Sequence, residues 1–247
     1  MAQIFWVGGV ITLAACVQSI AGFGFALVAI ALLPFIIDLQ LATPLVLMLA
    51  LLSSVSLVIY HRKSFEWKAI APLLISALIM VPIGLVSINY LPEQIALRVL
   101  GGFILLYVLL EALGYTSPKP GTRAHKKPPL PSIVSAYLFG GIAGFLTGAF
   151  TVPGPPLVMH ATAQAWRPEK LKANVPVIIA IVQLAALIGN VYEGNLTAEF
   201  WQLALYSLPF FVVGAGVSLR LSARVDEKVF KKIVLVLLGC IGLMWVL

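Results

Sequence analysis

The sequence has few charged residues and almost no cysteine. Charged side chains make up 10% of its 247 residues, against about 25% in a typical soluble domain. Hydrophobic residues account for 61%, and the mean hydropathy is +1.06. A water-facing surface cannot be closed with so few charges. Cys16 and Cys240 both lie in apolar runs without metal-ligand spacing, so they indicate packing rather than redox or metal chemistry.

The sequence also lacks the features of several enzyme and pump classes. It contains no Walker-type phosphate loop, no metal-ligand cluster, and neither the serine with a basic partner nor the paired aspartates of an intramembrane protease. No carboxylate lies near the middle of an apolar segment, so the sequence has no evident residue that could couple transport to protons or sodium ions through a carboxylate. We therefore expect a protein that is not an enzyme and that needs no cofactor.

Long apolar runs recur along the whole chain. About 18 or more such residues suffice to cross roughly 30 Å of hydrocarbon, and the runs are too long and too unalternating for a membrane barrel. The apolar segments are 4–20, 25–37, 41–60, 67–88, 93–113, 131–149, 155–165, 171–191, 198–219 and 227–247. The sequence therefore predicts an all-α, polytopic membrane protein embedded in the lipid bilayer. Its net charge of +7 then reflects basic loops at the membrane surface and not a nucleic-acid partner.

The sequence indicates an internal repeat, with two halves of similar organisation. Residues 1–113 form a first transmembrane repeat, 114–130 a Pro-rich basic linker, and 131–247 a second repeat. Each repeat has a Gly-rich interruption near its start, at 21–34 and at 147–158, followed by further apolar segments in the same order.

The distribution of Lys and Arg predicts the topology. If each Gly-rich break is only a kink, the basic loops divide almost evenly between the two sides of the membrane. If each break is the tip of a re-entrant helical hairpin followed by three crossings, the second repeat is inverted. All but one of the sixteen Lys and Arg then lie on one side, and Arg98 is the exception. The positive-inside rule favours this arrangement, with the linker in the cytoplasm and both termini outside. Many secondary transporters are built this way.

The two breaks are the candidate solute site. Non-helical backbone at membrane depth is tolerated only where protein or a water-lined cavity satisfies it. Each returning arm begins with backbone amides and the positive end of a helix dipole, which favours an anion, and two inverted hairpins would bring two such ends together near the midplane. The candidate substrate-binding residues at the breaks are Gln18, Ser19, Gly22, Phe23, Gly24, Thr147, Gly148, Thr151 and Gly154.

Each candidate has an alternative interpretation. Gly140, Gly144 and Gly148, at four-residue spacing, fit close helix packing as well as a site. A buried Ser or Thr often bonds its own helix backbone. His160 is either an anion donor or proton carrier, or a packing histidine. Asn174, Gln183 and Asn190 lie on one apolar segment, and the face that Gln183 and Asn190 share at seven-residue spacing either lines the path or forms interhelical hydrogen bonds.

The segments AGFGFALVAIALLP at 21–34 and GFLTGAFTVPGPPLV at 144–158, in that order in two halves joined by a basic linker, resemble the TauE/SafE family of sulfite exporters. The resemblance covers nearly the whole chain. It implies export of small sulfur oxyanions or organosulfonates, such as sulfite or sulfoacetate, across the bacterial inner membrane. The second break departs from the commoner GxGGG-like run of the family, which bears on the substrate and not on the location of the site.

For the mechanism we expect passive export of anions by alternating access, driven by the membrane potential. An anion channel with the same hairpin site, and an importer of a related anion, remain alternatives. The sequence leaves the oligomeric state open, a homodimer included.

Overall fold

A computed structural model describes residues 2–21, 24–61, 66–114, 131–221 and 227–247, and these residues form helices without a strand. The helices are α1 (Ala2–Ala21), α2 (Phe25–Leu32), α3 (Leu39–His61), α4 (Trp67–Tyr90), α5 (Glu93–Ala112), α6 (Ser132–Phe150), α7 (Gly154–Ala163), α8 (Pro168–Tyr192), α9 (Ala198–Leu221) and α10 (Glu227–Val246). A short 3-10 helix, Leu33–Phe35, follows α2. The predicted all-helical class is confirmed. Gly22, Phe23, the Ser19 side chain and the linker from residue 115 lie outside the described residues.

Six helices in the described residues are long and apolar enough to cross a membrane: α3, α4, α5, α6, α8 and α9. Five of them are crossings that the sequence predicts. The sixth, α6, is the first arm of the second hairpin; at 19 residues it is about 28 Å long. The described apolar part of α10, the remaining predicted crossing, is shorter and runs from Lys232 to Val246. The returning arms α2 and α7, with 8 and 10 residues, are too short to span.

The chain divides into two compact units that do not follow its two halves. The first unit contains Met1–Ala50, Leu91–Val108 and Asn190–Leu247. The second contains Leu51–Tyr90 and Leu109–Gly189. Each unit thus joins the hairpin of one half to helices of the other half. The predicted inversion of the repeats stays a prediction.

In the first unit, α1 packs on α9. The Gly8 backbone faces the Phe210 ring, and a Cβ at Gly8 would lie 2.6 Å from it. The Thr12 hydroxyl donates to the Phe210 carbonyl at 3.2 Å, and the Cys16 thiol lies 3.6 Å from the Gly214 carbonyl. Because the paired positions advance together along both helices, α1 and α9 run in parallel.

In the second unit, α6 packs on α4 through glycines. A Cβ at Gly140, Gly144 or Gly148 would overlap a backbone carbonyl of α4. Gly84 of α4 makes the reciprocal approach to the Phe145 carbonyl. The packing interpretation of the three α6 glycines is therefore confirmed, because only a glycine lets two backbones come this close.

Both hairpins return to the end at which they begin. The Gln3 side chain, at the start of α1, donates to the Ile36 carbonyl at 3.3 Å, just beyond the 3-10 helix. In the second hairpin the Ser135 hydroxyl, near the start of α6, lies 2.9 Å from Nδ1 of His160, near the end of α7. A helix that merely kinked and continued would carry Ile36 and His160 away from these partners.

Two contacts tie the end of α10 to the first hairpin. The Trp245 ring stacks on Phe35 with ring centroids 4.2 Å apart, and its Nε1–H donates to the Ala31 carbonyl at 3.1 Å. The start of α1 and the end of α10 therefore lie at the same end of the first unit.

Candidate anion-binding site

The tip of the first hairpin is closed by a side-chain hydrogen bond. Gly24 precedes α2 with a φ of 107°, a conformation that glycine adopts without strain. The Phe25 N–H, the first of α2, donates to Oε1 of Gln18 at 3.0 Å. The sequence predicts Gln18 as a substrate ligand, but here its oxygen satisfies one of the orphan amides of a helix start. That amide is not available to a solute while the bond is made.

The second hairpin turns at Thr151, and threonine rarely adopts the left-handed backbone conformation found there. Helix α6 ends at Phe150, and the next residue, Thr151, caps it with a φ of 61°. The Thr151 N–H donates to the Thr147 carbonyl at 2.9 Å, and the Val152 N–H donates to the Leu146 carbonyl at 3.2 Å. Helices that end in this way usually carry glycine at the left-handed position. For a β-branched residue the conformation is an outlier that costs about 1–2 kcal/mol.

The Thr151 hydroxyl has no partner. The residue is 0% exposed, and its Oγ1 makes no hydrogen bond. Leaving a buried polar group unsatisfied costs about 1–3 kcal/mol. Thr151 therefore combines backbone strain with an unmet hydrogen bond, and such costs concentrate at functional sites.

The hydroxyl of Thr147, the other candidate at this tip, already makes a hydrogen bond. Thr147 is as deeply buried as Thr151, but its Oγ1 donates to the Ala143 carbonyl at 2.6 Å, one turn earlier in α6. This is the backbone bond that the sequence analysis gives as the alternative interpretation. Of the two threonines, Thr151 is the one with a free donor.

Helix α7 begins beside Thr151 and is poor in backbone donors. Its first residues are Gly154, Pro155, Pro156 and Leu157, and Pro153 precedes them. Of the four backbone positions that a helix start leaves without an intrahelical partner, three are prolines, which have no N–H, so only the Gly154 amide remains. The helix start predicted as an amide-rich anion site thus offers one amide and one nearby hydroxyl.

His160 is held as a packing residue. It is 1% exposed, its Nδ1 shares the hydrogen bond with Ser135, and its ring lies edge-on to Trp166 with centroids 5.5 Å apart. It is the seventh residue of α7, so about 9 Å of helix rise separates it from Gly154. These contacts fit the packing interpretation.

The three polar candidate residues of α8 each make a separate hydrogen bond. Oδ1 of Asn174 accepts from the Glu66 N–H at 2.8 Å. Oε1 of Gln183 accepts from the Ser54 hydroxyl at 3.1 Å. Both bonds join two helices or their ends, as the interhelical interpretation requires.

Asn190 bonds to the loop that follows α8. Its Oδ1 accepts from Nδ2 of Asn195 at 3.0 Å, and its backbone carbonyl accepts from the Asn195 N–H at the same distance.

Three further polar atoms in the second unit are buried without partners. They are Oγ1 of Thr162, Nε2 of Gln164 and Nδ2 of Asn174. Thr162 and Gln164 lie at the end of α7, and the only sequence signal for them is that they are polar residues at the end of an apolar run.

These features define a class of protein: a polytopic, all-helical membrane protein whose two broken helices turn back, with an unsatisfied buried hydroxyl at the second turn. Comparison with known sequences identifies the family. The profile of the sulfite exporter TauE/SafE family matches residues 7–244, so the chain belongs to that family of membrane transporters.

Two curated relatives support the assignment. The chain is 25% identical over 200 residues to a probable sulfite/organosulfonate exporter TauE of Cupriavidus necator, covering 79% of this chain and 75% of the relative. It is 23% identical over 237 residues to a probable membrane transporter protein of Methanocaldococcus jannaschii, covering 90% and 86%. No solved structure matches the chain.

Proposed function

We propose that this protein exports small sulfur oxyanions or organosulfonates across the bacterial inner membrane and holds them at the start of α7. The observation that carries the proposal is the buried, unpartnered hydroxyl of Thr151, on a strained residue beside a helix N-terminus. The Thr151 hydroxyl and the Gly154 amide are hydrogen-bond donors, and the positive end of the α7 dipole adds to their preference for an anion.

The sulfur chemistry of the solute is supported by the relatives. The family is described as sulfite exporters, and the Cupriavidus necator protein as a probable exporter of sulfite and organosulfonates. The oxygens of a sulfite or sulfonate group accept hydrogen bonds, as donors such as the Thr151 hydroxyl and the Gly154 amide require.

Efflux driven by the membrane potential is the proposed mechanism. Moving one negative charge out of a cell that is negative inside gains about 2.3 kcal/mol per 100 mV. The sequence offers no carboxylate near the middle of a helix to couple a cation. We propose the orientation favoured by the basic loops, with the linker in the cytoplasm and the termini outside.

The experiment is solute binding and efflux with purified protein, before and after Thr151→Val. This change removes the hydroxyl and keeps the side-chain shape and the β-branch. A hydrogen bond to a charged group contributes about 1.5–3 kcal/mol, so we expect affinity for the sulfur anion to fall about 10-fold or more. The measurement is binding of sulfite and methanesulfonate by calorimetry, and their efflux from proteoliposomes.

Thr43→Val is the matched control. Its hydroxyl is also buried, but donates to the Leu39 carbonyl one turn earlier at 2.8 Å. Affinity should change less than twofold in this variant. An equal loss of anion affinity in both variants, or no loss in Thr151→Val, would contradict the assignment of the site. Efflux several orders of magnitude above carrier rates would favour the channel alternative.

A further inference from the structure

We infer that the starts of α4 and α8 together bind the headgroup of an anionic phospholipid, whose acyl chains lie along the exposed face of α4. This lipid site lies apart from the turn at Thr151, so neither site depends on the other. Three features of the second unit support it: the contacts that join the two helix starts, the charges around them, and the apolar face of α4 that begins at Lys68.

The starts of α4 and α8 are joined by two polar contacts. Nζ of Lys170 pairs with Oε2 of Glu66 at 2.7 Å, and Oδ1 of Asn174 accepts from the Glu66 N–H at 2.8 Å. Lys170 and Asn174 are about one turn apart in α8, and Glu66 directly precedes α4. The side chains within a turn of these contacts therefore share one corner of the second unit.

This corner carries more positive than negative charge. Its described cations are Lys68, Arg167, Lys170 and Lys172, and its described carboxylates are Glu66 and Glu169, which leaves a net charge of +2. Lys170 is neutralised by Glu66. The other three cations are exposed, and within the described part of the chain none of them pairs with a carboxylate. The corner therefore attracts a negatively charged group.

The face of α4 that begins at Lys68 is otherwise apolar and exposed. Ile75, Ile79 and Ile83 follow Lys68 at seven- and four-residue spacing, which places all four on one face of the helix. The three isoleucines are 47–58% exposed. The opposite face of α4 is the one that packs against the glycines of α6. A cation at the head of an exposed apolar stripe matches a phospholipid, which carries an anionic headgroup above its acyl chains.

Aromatic residues indicate that Lys68 lies at the depth of the lipid headgroups. Trp67 and Tyr90, at the two ends of α4, are 58% and 84% exposed. Such residues are enriched at both membrane–water interfaces. The 24-residue helix is about 36 Å long, slightly more than the roughly 30 Å of hydrocarbon. Lys68, beside Trp67, therefore lies where lipid phosphates are, and a lysine at that depth attracts anionic lipids.

The test is native mass spectrometry of the full chain in detergent, titrated with phosphatidylglycerol or with phosphatidylcholine of the same acyl chains. Both lipids contain a phosphate, but the choline group makes the second one neutral overall. We expect the first phosphatidylglycerol to bind with at least 10-fold higher affinity than the first phosphatidylcholine. Glycerol 3-phosphate, which has a phosphate and no acyl chain, should displace less than about a tenth of the bound lipid at equal concentration.

Paired variants test the role of the charges. Lys68→Gln with Lys172→Gln removes two cations from the corner, and each such cation contributes a factor of about 5 to binding of an anionic lipid, so phosphatidylglycerol affinity should fall roughly 10- to 25-fold. Arg98→Gln with Lys232→Gln is the matched control, because it removes two exposed cations from the first unit. The control should change the affinity less than about twofold. Lys68→Arg with Lys172→Arg keeps both charges and should retain the affinity.

Three results would overturn the lipid site. The first is equal affinity for the two lipids, and the second is an equal loss of phosphatidylglycerol affinity in the glutamine pair and in its control. The third is full displacement of the lipid by glycerol 3-phosphate, which would assign the corner to a soluble phosphate. None of these results concerns Thr151, so the lipid site can fail while the proposed export function stands, and the reverse also holds.

Discussion

Replacing Thr151 by glycine should stabilise the protein while weakening its binding of anions. Glycine adopts the left-handed conformation freely, which recovers about 1–2 kcal/mol, and it removes a buried unpaired hydroxyl that costs about 1–3 kcal/mol. Opposing terms are the loss of two buried carbons, Cβ and Cγ2, about 1.6 kcal/mol, and the added freedom of glycine in the unfolded chain, about 0.5–1 kcal/mol. The balance favours Thr151→Gly by about 1 kcal/mol.

The assay is thermal unfolding of the purified protein in one detergent, read as an apparent Tm at a fixed scan rate. For a chain of this size 1 kcal/mol corresponds to about 2–4 °C, so we expect Tm to rise by about that amount. Binding of methanesulfonate should weaken about 10-fold or more in the same preparation, because the donor is gone. A more stable and less active variant is the signature of a residue retained for function.

Gly24→Ala tests the opposite change, because it adds a side chain to a left-handed position that carries glycine. The space is sufficient, since the nearest atom to an added Cβ is Cγ1 of Val17 at 3.5 Å, but the φ of 107° disfavours any side chain. Its Tm should therefore fall. If Thr151→Gly lowers Tm and leaves anion affinity unchanged, Thr151 is a packing residue and the reasoning from strain to function is refuted.

Two further variants test the fold that positions the site. Gly144→Ala places a Cβ against a backbone carbonyl of α4 and should lower Tm by at least 5 °C or abolish expression. Gly141→Ala, three residues earlier in α6 and with space for a Cβ, should leave Tm unchanged or raise it. Equal effects of the two variants would contradict the close α4–α6 packing. Gln18→Leu leaves the Phe25 N–H without its acceptor and should lower the free energy of unfolding by about 1–3 kcal/mol, or Tm by roughly 2–10 °C. The control is Gln94→Leu, at an exposed position, which should change Tm by less than 2 °C. A Gln18→Leu protein as stable as the parent would show that the first tip is not closed by this bond.

The location of both breaks could be predicted from sequence because glycine and proline act locally. Gly24 and the run from Thr151 to Pro156 interrupt apolar periodicity whatever surrounds them, and the structure ends α6 and begins α2 and α7 there. That each hairpin returns to its starting end follows from the distribution of basic loops, and the Gln3 and Ser135 contacts agree with it.

The roles of individual polar residues could not be predicted, because they depend on partners distant in sequence. Thr147 and Thr151 look alike in the sequence, and only the backbone shows that one hydroxyl reaches the Ala143 carbonyl while the other has no acceptor. Gln183 lies on the same face as Asn190 by helical spacing, yet it bonds Ser54, 129 residues away in sequence. Periodicity defines a face of a helix and does not show what faces it.

The most direct test of the central claim is a density map of the full chain in lipid with 2-bromoethanesulfonate, whose bromine scatters anomalously. The account predicts the sulfonate oxygens within hydrogen-bonding distance of the Thr151 hydroxyl and the Gly154 amide, with α6 and α7 turning back at that point. A sulfonate bound only elsewhere, a cation beside Thr151, or a chain that passes straight through residues 150–154 would contradict it.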